Sequence, residues 1–179
     1  MKTIKIGMIG FGTIGAGVAK ILSENSEIIQ KRLGAKVELV KVADLDITTD
    51  RGIKLAPNVL TTSAEEVINH PDITVLIELM GGYELARKFL LQAIEQGKHV
   101  VTANKALLAK HGDELFSAVA EKGLSIGYEA SIGGAIPIIR SVREAFVANN
   151  IQSMEGIVNG TANYILSKMS DENCDFNTA

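Results

Sequence analysis

Hydrophobic positions along this chain change repeatedly between strand-like runs and helix-like spacing. The first run, Ile4–Ile9, predicts a strand that begins almost at the amino terminus. A pattern of helical period follows it. Its apolar positions are Ile14, Val18, Ile21 and Leu22. The chain therefore opens with a strand, a short turn and a helix.

The same alternation continues through most of the sequence. Further strands are predicted at Val37–Ala43, Ile73–Leu79, His99–Thr102 and Leu124–Tyr128. The helices between them are a long first helix that ends near Gly34, a short one opened by a capping box at Ser63 and Glu66, one from about Tyr83 to Gln96, and one through Leu115, Ala118 and Val119 to Gly123. Strands that alternate with helices are typical of parallel sheets. We therefore expect an α/β fold, a doubly wound parallel sheet of Rossmann type.

The pattern changes after the last of these strands. A helix with Pro137 in its first turn carries apolar residues on one face, a strand is predicted at Ile151–Val158, and a short helix begins near Thr161. We expect a dinucleotide-binding domain over residues 1–133 and the beginning of an α+β catalytic domain over residues 134–179. One strand and one helix cannot close a core of their own, which favours the front part of a longer protein.

Composition narrows the functional classes. The 179 residues are 46% hydrophobic, carry a net charge of −3 and include one cysteine, Cys174. The charge gives no reason to expect nucleic acid or an anionic membrane as partner. No segment approaches a membrane-spanning length, and the amino terminus has no signal-peptide pattern. We expect a cytoplasmic protein without disulfides.

The turn after the first strand matches G-x-G-x-x-G, with glycines at positions 10, 12 and 15. Gly10 permits the tight turn, Gly12 lets the backbone approach a pyrophosphate, and Gly15 lets helix and strand pack closely. Free N–H groups at the helix start attract phosphates. The setting between strand and helix favours dinucleotide binding over a turn of purely structural use.

Asp44 follows the second strand, where a carboxylate can bind a ribose 2′-hydroxyl and repel a 2′-phosphate. This position favours NAD over NADP. Asp46 is a competing candidate for the same role, and Asp44 could instead be a solvated loop residue that binds nothing. Arg51 could still accommodate NADP.

Two later strand ends also carry candidate residues. Gly81 and Gly82 could let a ring or a ribose pass close to the backbone, although an ordinary turn explains them too. Thr102 ends the next strand and Asn104 is a natural N-cap. Lys105 stands in the first turn of a helix, against the helix dipole, which indicates contact with a phosphate, carboxylate or carbonyl.

Other motifs exclude some chemistry. The three histidines and Cys174 lack the spacing of a zinc site, and no P-loop sequence is present. Asn159-Gly160-Thr161 opens the final helix with small donors, a suitable place for a substrate carboxylate or for a capped helix that binds nothing.

Three blocks of sequence resemble the homoserine dehydrogenase family, and the match extends from Ile4 to Met169. The most specific block, residues 156–166, reads GIVNGTANYIL. The other two blocks are residues 99–105, HVVTANK, and residues 128–137, YEASIGGAIP.

The resemblance implies a reversible hydride transfer between a nicotinamide cofactor and L-aspartate 4-semialdehyde, giving L-homoserine. That reaction belongs to the synthesis of threonine, methionine and isoleucine. It implies that Phe11, Thr13 and Ile14 contact the dinucleotide, that Lys105 lies close to cofactor and substrate, and that Gly160 and Thr161 border the homoserine pocket. It also implies a homodimer and a monovalent cation, often sodium, on four backbone oxygens. These are the carbonyls of Glu129, Ile132, Gly134 and Ile136.

Two departures from the family pattern qualify this reading. Many members that use NADP have an arginine just after the second strand, where this chain has Ala43 before Asp44. The family's catalytic lysine, with its aspartate and glutamate partners, belongs to a segment beyond Ala179, so we expect little or no turnover by residues 1–179. The rivals are a nucleotide-sensing module and a small Rossmann reductase such as aspartate-semialdehyde dehydrogenase. That enzyme needs a cysteine nucleophile, and Cys174 is poorly placed for this role.

Overall fold

A six-stranded parallel sheet organises residues 1–143, the first of two units; residues 144–179 form the second, and the computed structural model describes the whole chain. The strands are β1 (Thr3–Ile9), β2 (Lys36–Ala43), β3 (Leu60–Thr61), β4 (Val75–Glu78), β5 (His99–Thr102) and β6 (Ile126–Gly127). Their order is β3-β2-β1-β4-β5-β6, and every neighbouring pair is parallel. The predicted doubly wound α/β fold is confirmed, with its order reversal between β1 and β4.

Seven helices accompany the sheet in the first unit. They are α1 (Thr13–Glu24), α2 (Ser26–Leu33), α3 (Ala64–Ile68), α4 (Glu84–Glu95), α5 (Lys105–Glu121), α6 (Glu129–Ile132) and α7 (Ile138–Arg140), and a π-helical turn over Ser141–Ala145 follows. The predicted N-caps are confirmed at Ser63, whose hydroxyl accepts from Glu66 N, and at Asn104, whose side chain accepts from Leu107 N. None of the chain's helices combines the length and the apolar character that a membrane span requires.

Two hydrophobic cores lie on opposite faces of the sheet because successive strand residues point in opposite directions. Along β4, Leu76 packs into one core and Ile77 into the other. The first core is formed with α3, α4 and α5, and it includes Leu90, Leu107 and Leu115. The second core is formed with α1. Burial on both faces explains the nearly continuous apolar sequence of β4.

The first helix differs from the prediction in two ways. Ile14 and Ile21 are 60% and 56% exposed, whereas Gly15, Ala16 and Ala19 are buried. Small residues face the sheet because the helix approaches it closely at Gly15. The prediction of a single long helix is also wrong. The helical region divides at Asn25, within a polar stretch whose side chains compete for backbone hydrogen bonds. The predicted end at Gly34 is confirmed.

The second unit contains α8 (Gly160–Glu172) and no strand. The strand predicted at Ile151–Val158 is therefore wrong. A strand needs a neighbour for its N–H and C=O groups, and this unit offers none. Asn159 caps α8 by accepting from Ala162 N, so the predicted helix start is confirmed.

One buried lysine supports the amino-terminal edge of the sheet. Lys98 precedes β5, and its ammonium group donates to the carbonyls of His70 and Ile73 at 2.8 Å each. Burial lowers the pKa of Lys98, because the charged form loses contact with water. Two backbone carbonyls therefore hold this cation where β4 and β5 begin.

Candidate functional site

The Gly-rich turn joins β1 to α1 at the carboxyl edge of the sheet. Gly10 has a φ of +99°, and a Cβ there would lie 2.5 Å from the carbonyl oxygen of Leu79. A Cβ on Gly15 would lie 2.2 Å from the carbonyl oxygen of Gly10. The tight turn and the close packing predicted for these glycines are confirmed. Gly12 is different, because no atom lies within 4 Å of the place its Cβ would occupy.

The start of α1 is open and carries no compensating charge. Gly12 is the N-cap and offers no side-chain hydrogen bond, and the first turn contains no acidic residue. The first helical bond runs from Ala16 N to Gly12 O at 2.9 Å, so the N–H groups of residues 13–15 precede it. Thr13 and Ile14 are exposed while Phe11 is buried. Free N–H groups beside an uncrowded glycine can receive an anion.

Asp44 connects the end of β2 to the Gly-rich turn. Its carboxylate accepts hydrogen bonds from Phe11 N and, at 2.9 Å, from Asp46 N. Gly10 N also donates to Ala43 O at 2.8 Å. The carboxylate therefore stands directly beside the predicted pyrophosphate position.

Asp46 has a local role instead. Its Oδ1 accepts from Thr48 N, Thr48 Oγ1 and Thr49 N, and its Oδ2 accepts from Arg51 at 3.1 Å. The hydrogen bonds from Thr49 and Thr48 hold the pKa of Asp46 well below its usual range. Its carboxylate stabilises the loop after β2, which makes Asp44 the better placed of the two candidates.

A cleft of about 310 Å³ lies between α1 and this loop. Its lining residues are Thr13, Ala16, Gly17, Lys20, Asp50, Arg51 and Ile53. The cleft begins at the open start of α1, and both cationic and anionic side chains border it.

Glu78 lies fully buried at the end of β4. Its Oε1 accepts from Met80 N at 2.7 Å, and its Oε2 accepts from the hydroxyl of Thr102, its β5 neighbour, at 2.6 Å. Burial raises the pKa of Glu78, and these hydrogen bonds act in the opposite direction. Glu78 was not among the residues predicted from the sequence, although a carboxylate near the end of an apolar strand was a usable signal.

The loops after β4 and β5 are joined by Asn104. Its Nδ2 donates to Gly82 O at 2.5 Å, while its backbone N donates to Thr102 Oγ1 at 3.0 Å. Gly81 is exposed beside this contact. Lys105 is exposed in the first turn of α5, as predicted, and forms no ion pair. Gly81, Thr102 and Lys105 therefore belong to one connected edge.

The segment after β6 carries the four expected cation-binding carbonyls. Those of Glu129 and Ile136 already accept hydrogen bonds, from Gly133 N and Ile138 N. Ile132 ends the short helix α6, which the sequence analysis did not predict, and Gly134 follows two residues later. No cluster of His, Cys, Asp or Glu side chains suits a metal ion, so a cation here would depend on backbone oxygens.

Gly160 and Thr161 lie in the second unit, in the first turn of α8. Both are exposed, and Asn159 Oδ1 accepts from Ala162 N at 2.9 Å. The predicted small-donor segment at a helix start is therefore present.

Two family models match this chain. The one described as "Homoserine dehydrogenase, NAD binding domain" matches residues 10–129, and the one described as "Homoserine dehydrogenase" matches residues 137–179. The relatives named homoserine dehydrogenase from Synechocystis sp. and Bacillus subtilis are 45% and 43% identical over 97% and 96% of this chain. The chain spans 40% of the length of each of these relatives.

Solved structures show the same likeness. A homoserine dehydrogenase from Thiobacillus denitrificans has a TM-score of 0.92 at 43% identity, over 99% of this chain and 41% of that one. A hyperthermophilic archaeal homoserine dehydrogenase mutant in complex with NADPH has a TM-score of 0.80 at 25% identity, over 98% of this chain and 59% of that one.

Proposed function

Because this chain belongs to the homoserine dehydrogenase family, we propose that it supplies the cofactor-binding part of an NAD(P)-dependent oxidoreductase. The reaction would interconvert L-homoserine and L-aspartate 4-semialdehyde by hydride transfer. The observation that carries the proposal is the empty space at Gly12 beside the open start of α1, at the reversal of strand order.

The dinucleotide would lie across the carboxyl edge of the sheet. Its pyrophosphate would be held by the N–H groups of residues 13–15 at the start of α1, and its adenosine ribose by Asp44. The nicotinamide half would extend over the second half of the sheet, toward Gly81, Thr102 and Lys105. When bound, the nicotinamide supplies the hydride, while these residues hold and orient it.

Charge supports a preference for NAD. The Asp44 carboxylate, adjacent to the Gly-rich turn, would repel a 2′-phosphate. Arg51, which could attract one, is paired with Asp46. The archaeal relative in complex with NADPH makes the comparison of both cofactors necessary.

The remaining site expectations rest on the family. Gly160 and Thr161 would contact homoserine, and the carbonyls of Glu129, Ile132, Gly134 and Ile136 would bind sodium. Backbone oxygens suit such a hard cation. We also propose a cytoplasmic homodimer, and a functional boundary at residue 133, which lies between the two matched regions.

Calorimetric titration of the chain with NADH and NADPH tests the proposal. We expect both to bind, NADH more tightly, and absence of binding by both would overturn it. Homoserine-dependent reduction of NAD by a protein of the relatives' full length that contains this chain then tests the reaction class, because little or no turnover is expected from residues 1–179 alone. Phosphate-dependent oxidation of the semialdehyde would support aspartate-semialdehyde dehydrogenase, and dinucleotide binding that regulates a partner would support a sensing module.

A further inference from the structure

The burial of Glu78 is energetically unfavourable. Glu78 is the last residue of β4, it is completely buried, and it follows Leu76 on the face that packs against α4 and α5. A carboxylate in such a place loses its hydration. Apolar residues of similar volume usually serve stability equally well or better at buried charged positions. The contacts of Glu78 therefore call for an explanation beyond packing.

Those contacts fix the backbone on both sides of the carboxyl edge. Oε1 accepts from Met80 N, which sets the course of the chain into Gly81 and Gly82. Oε2 accepts from Thr102 Oγ1, and that hydroxyl in turn accepts from Asn104 N. One carboxylate therefore reaches the loop after β4 directly and the loop after β5 through a single hydroxyl.

Asn104 closes this network. Its side chain bonds Gly82 O at 2.5 Å and also accepts from Leu107 N, so it caps α5 while holding the neighbouring loop. Lys105 is the next residue. Ser131, also fully buried, donates to Thr102 O at 2.8 Å and ties the segment after β6 to the same strand end.

We propose that Glu78 is a positioning residue for the nicotinamide half of the cofactor, acting through Met80, Thr102 and Asn104 on the Gly81–Gly82 loop and on Lys105. This inference rests on the proposed cofactor binding. The adenosine half of a dinucleotide belongs to the other mononucleotide-binding half of the sheet. None of the Glu78 side-chain hydrogen bonds reaches the Gly-rich turn or Asp44.

The two halves of the cofactor can be tested separately. NADH would contact the whole edge, whereas ADP, which lacks both the nicotinamide ring and its ribose, would use only the Gly-rich turn and Asp44. Glu78→Gln keeps the volume of the side chain but turns an amide N–H₂ toward one of two donors. We expect calorimetry to show NADH binding about tenfold weaker, the lower end of what is lost when groups that orient metal ligands are replaced. ADP binding should stay within about twofold of the wild type, because a positioning effect is local.

Thr102→Val is the second variant. It removes the hydroxyl that links Glu78 to Asn104, and the same selective loss of NADH affinity is expected. Glu121→Gln, at an exposed position without a side-chain partner, is the matched control and should bind both ligands like the wild type.

The outcomes distinguish the inference from the proposed function. If the wild-type chain binds neither ligand, the proposed function itself is contradicted. Equal weakening of both ligands in the two network variants, or unchanged NADH binding, would overturn the positioning role while cofactor binding stands. If Glu78→Gln fails to fold, Thr102→Val decides by the same comparison. Failure of both to fold would assign the network to stability alone and would also overturn the inference.

Discussion

Replacing Gly12 with valine should weaken cofactor binding about 100-fold or more while leaving the fold almost intact. No atom lies within 4 Å of the position of a Cβ on Gly12, so the free protein has room for the side chain. The expected stability loss is about 0.5–1 kcal/mol, because valine is a poor N-cap. For a chain of this size that lowers Tm by about 2–4 °C per kcal/mol.

The effect on binding is much larger because the added side chain would occupy the place of the pyrophosphate. Two charge-assisted hydrogen bonds, at about 1.5–3 kcal/mol each, would be lost. At 1.4 kcal/mol per tenfold, this corresponds to roughly a 100-fold weaker Kd or more. NADH fluorescence titration measures the affinity, and circular dichroism on heating measures Tm.

Gly15→Ala is the contrasting variant. Its Cβ would lie 2.2 Å from the carbonyl oxygen of Gly10, and such overpacking costs about 1–3 kcal/mol. It should lower Tm more than Gly12→Val does. Unchanged NADH affinity in Gly12→Val would refute the placement of the pyrophosphate beside Gly12. Equal destabilisation by the two variants would refute the conclusion that a side chain has room at Gly12 but not at Gly15.

Three further predictions concern charged groups. We expect NADH to bind more tightly than NADPH and Asp44→Ala to narrow the difference, as measured by parallel titrations; the reverse order in the wild type would contradict the role of Asp44. Because burial raises the pKa of Glu78 above 4.5, its contribution to stability is full below that value and is lost as pH rises through the folded pKa. Urea unfolding at about pH 4 and about pH 8 should therefore show Glu78→Gln gaining stability relative to the wild type at the higher pH, and a constant difference would be evidence against this. Arg87→Ala breaks an exposed pair with Glu114 and should lower the unfolding free energy measured in urea only slightly, and less still in high salt, because solvent and ions screen the pair; a large loss that does not depend on salt would contradict this.

Local patterns predicted the fold well where the physical cause was local. The strand, turn and helix at the amino terminus follow from the glycine spacing, and the N-caps at Ser63, Asn104 and Asn159 depend on neighbours only three residues away. The doubly wound arrangement follows from the alternation of strands and helices together with the handedness of crossovers.

The wrong or missing predictions concern features that depend on contacts between distant parts of the chain. The buried face of α1 depends on how closely Gly15 approaches β1, so the apolar spacing of Ile14 and Ile21 was misleading. The strand β3 has only two residues and is defined by its pairing with β2. Ile151–Val158 has strand-like composition but no partner within its unit.

The candidate site shows the same division. The motifs named positions at the carboxyl edge, but spacing alone did not say which of them bond one another. The links from Glu78 to Thr102 and from Asn104 to Gly82 join residues more than twenty positions apart. Such networks form only when the strands are assembled.

The lysine that braces the starts of β4 and β5 has a practical consequence for engineering. Lys98 stabilises the amino-terminal edge of the sheet, whereas the proposed ligand would bind at the carboxyl edge. Substitutions that raise thermal tolerance can be sought there, around the entry to each strand, with little risk to affinity. Attempts to alter ligand preference belong at the exits, so the two properties can be improved in separate rounds of mutagenesis.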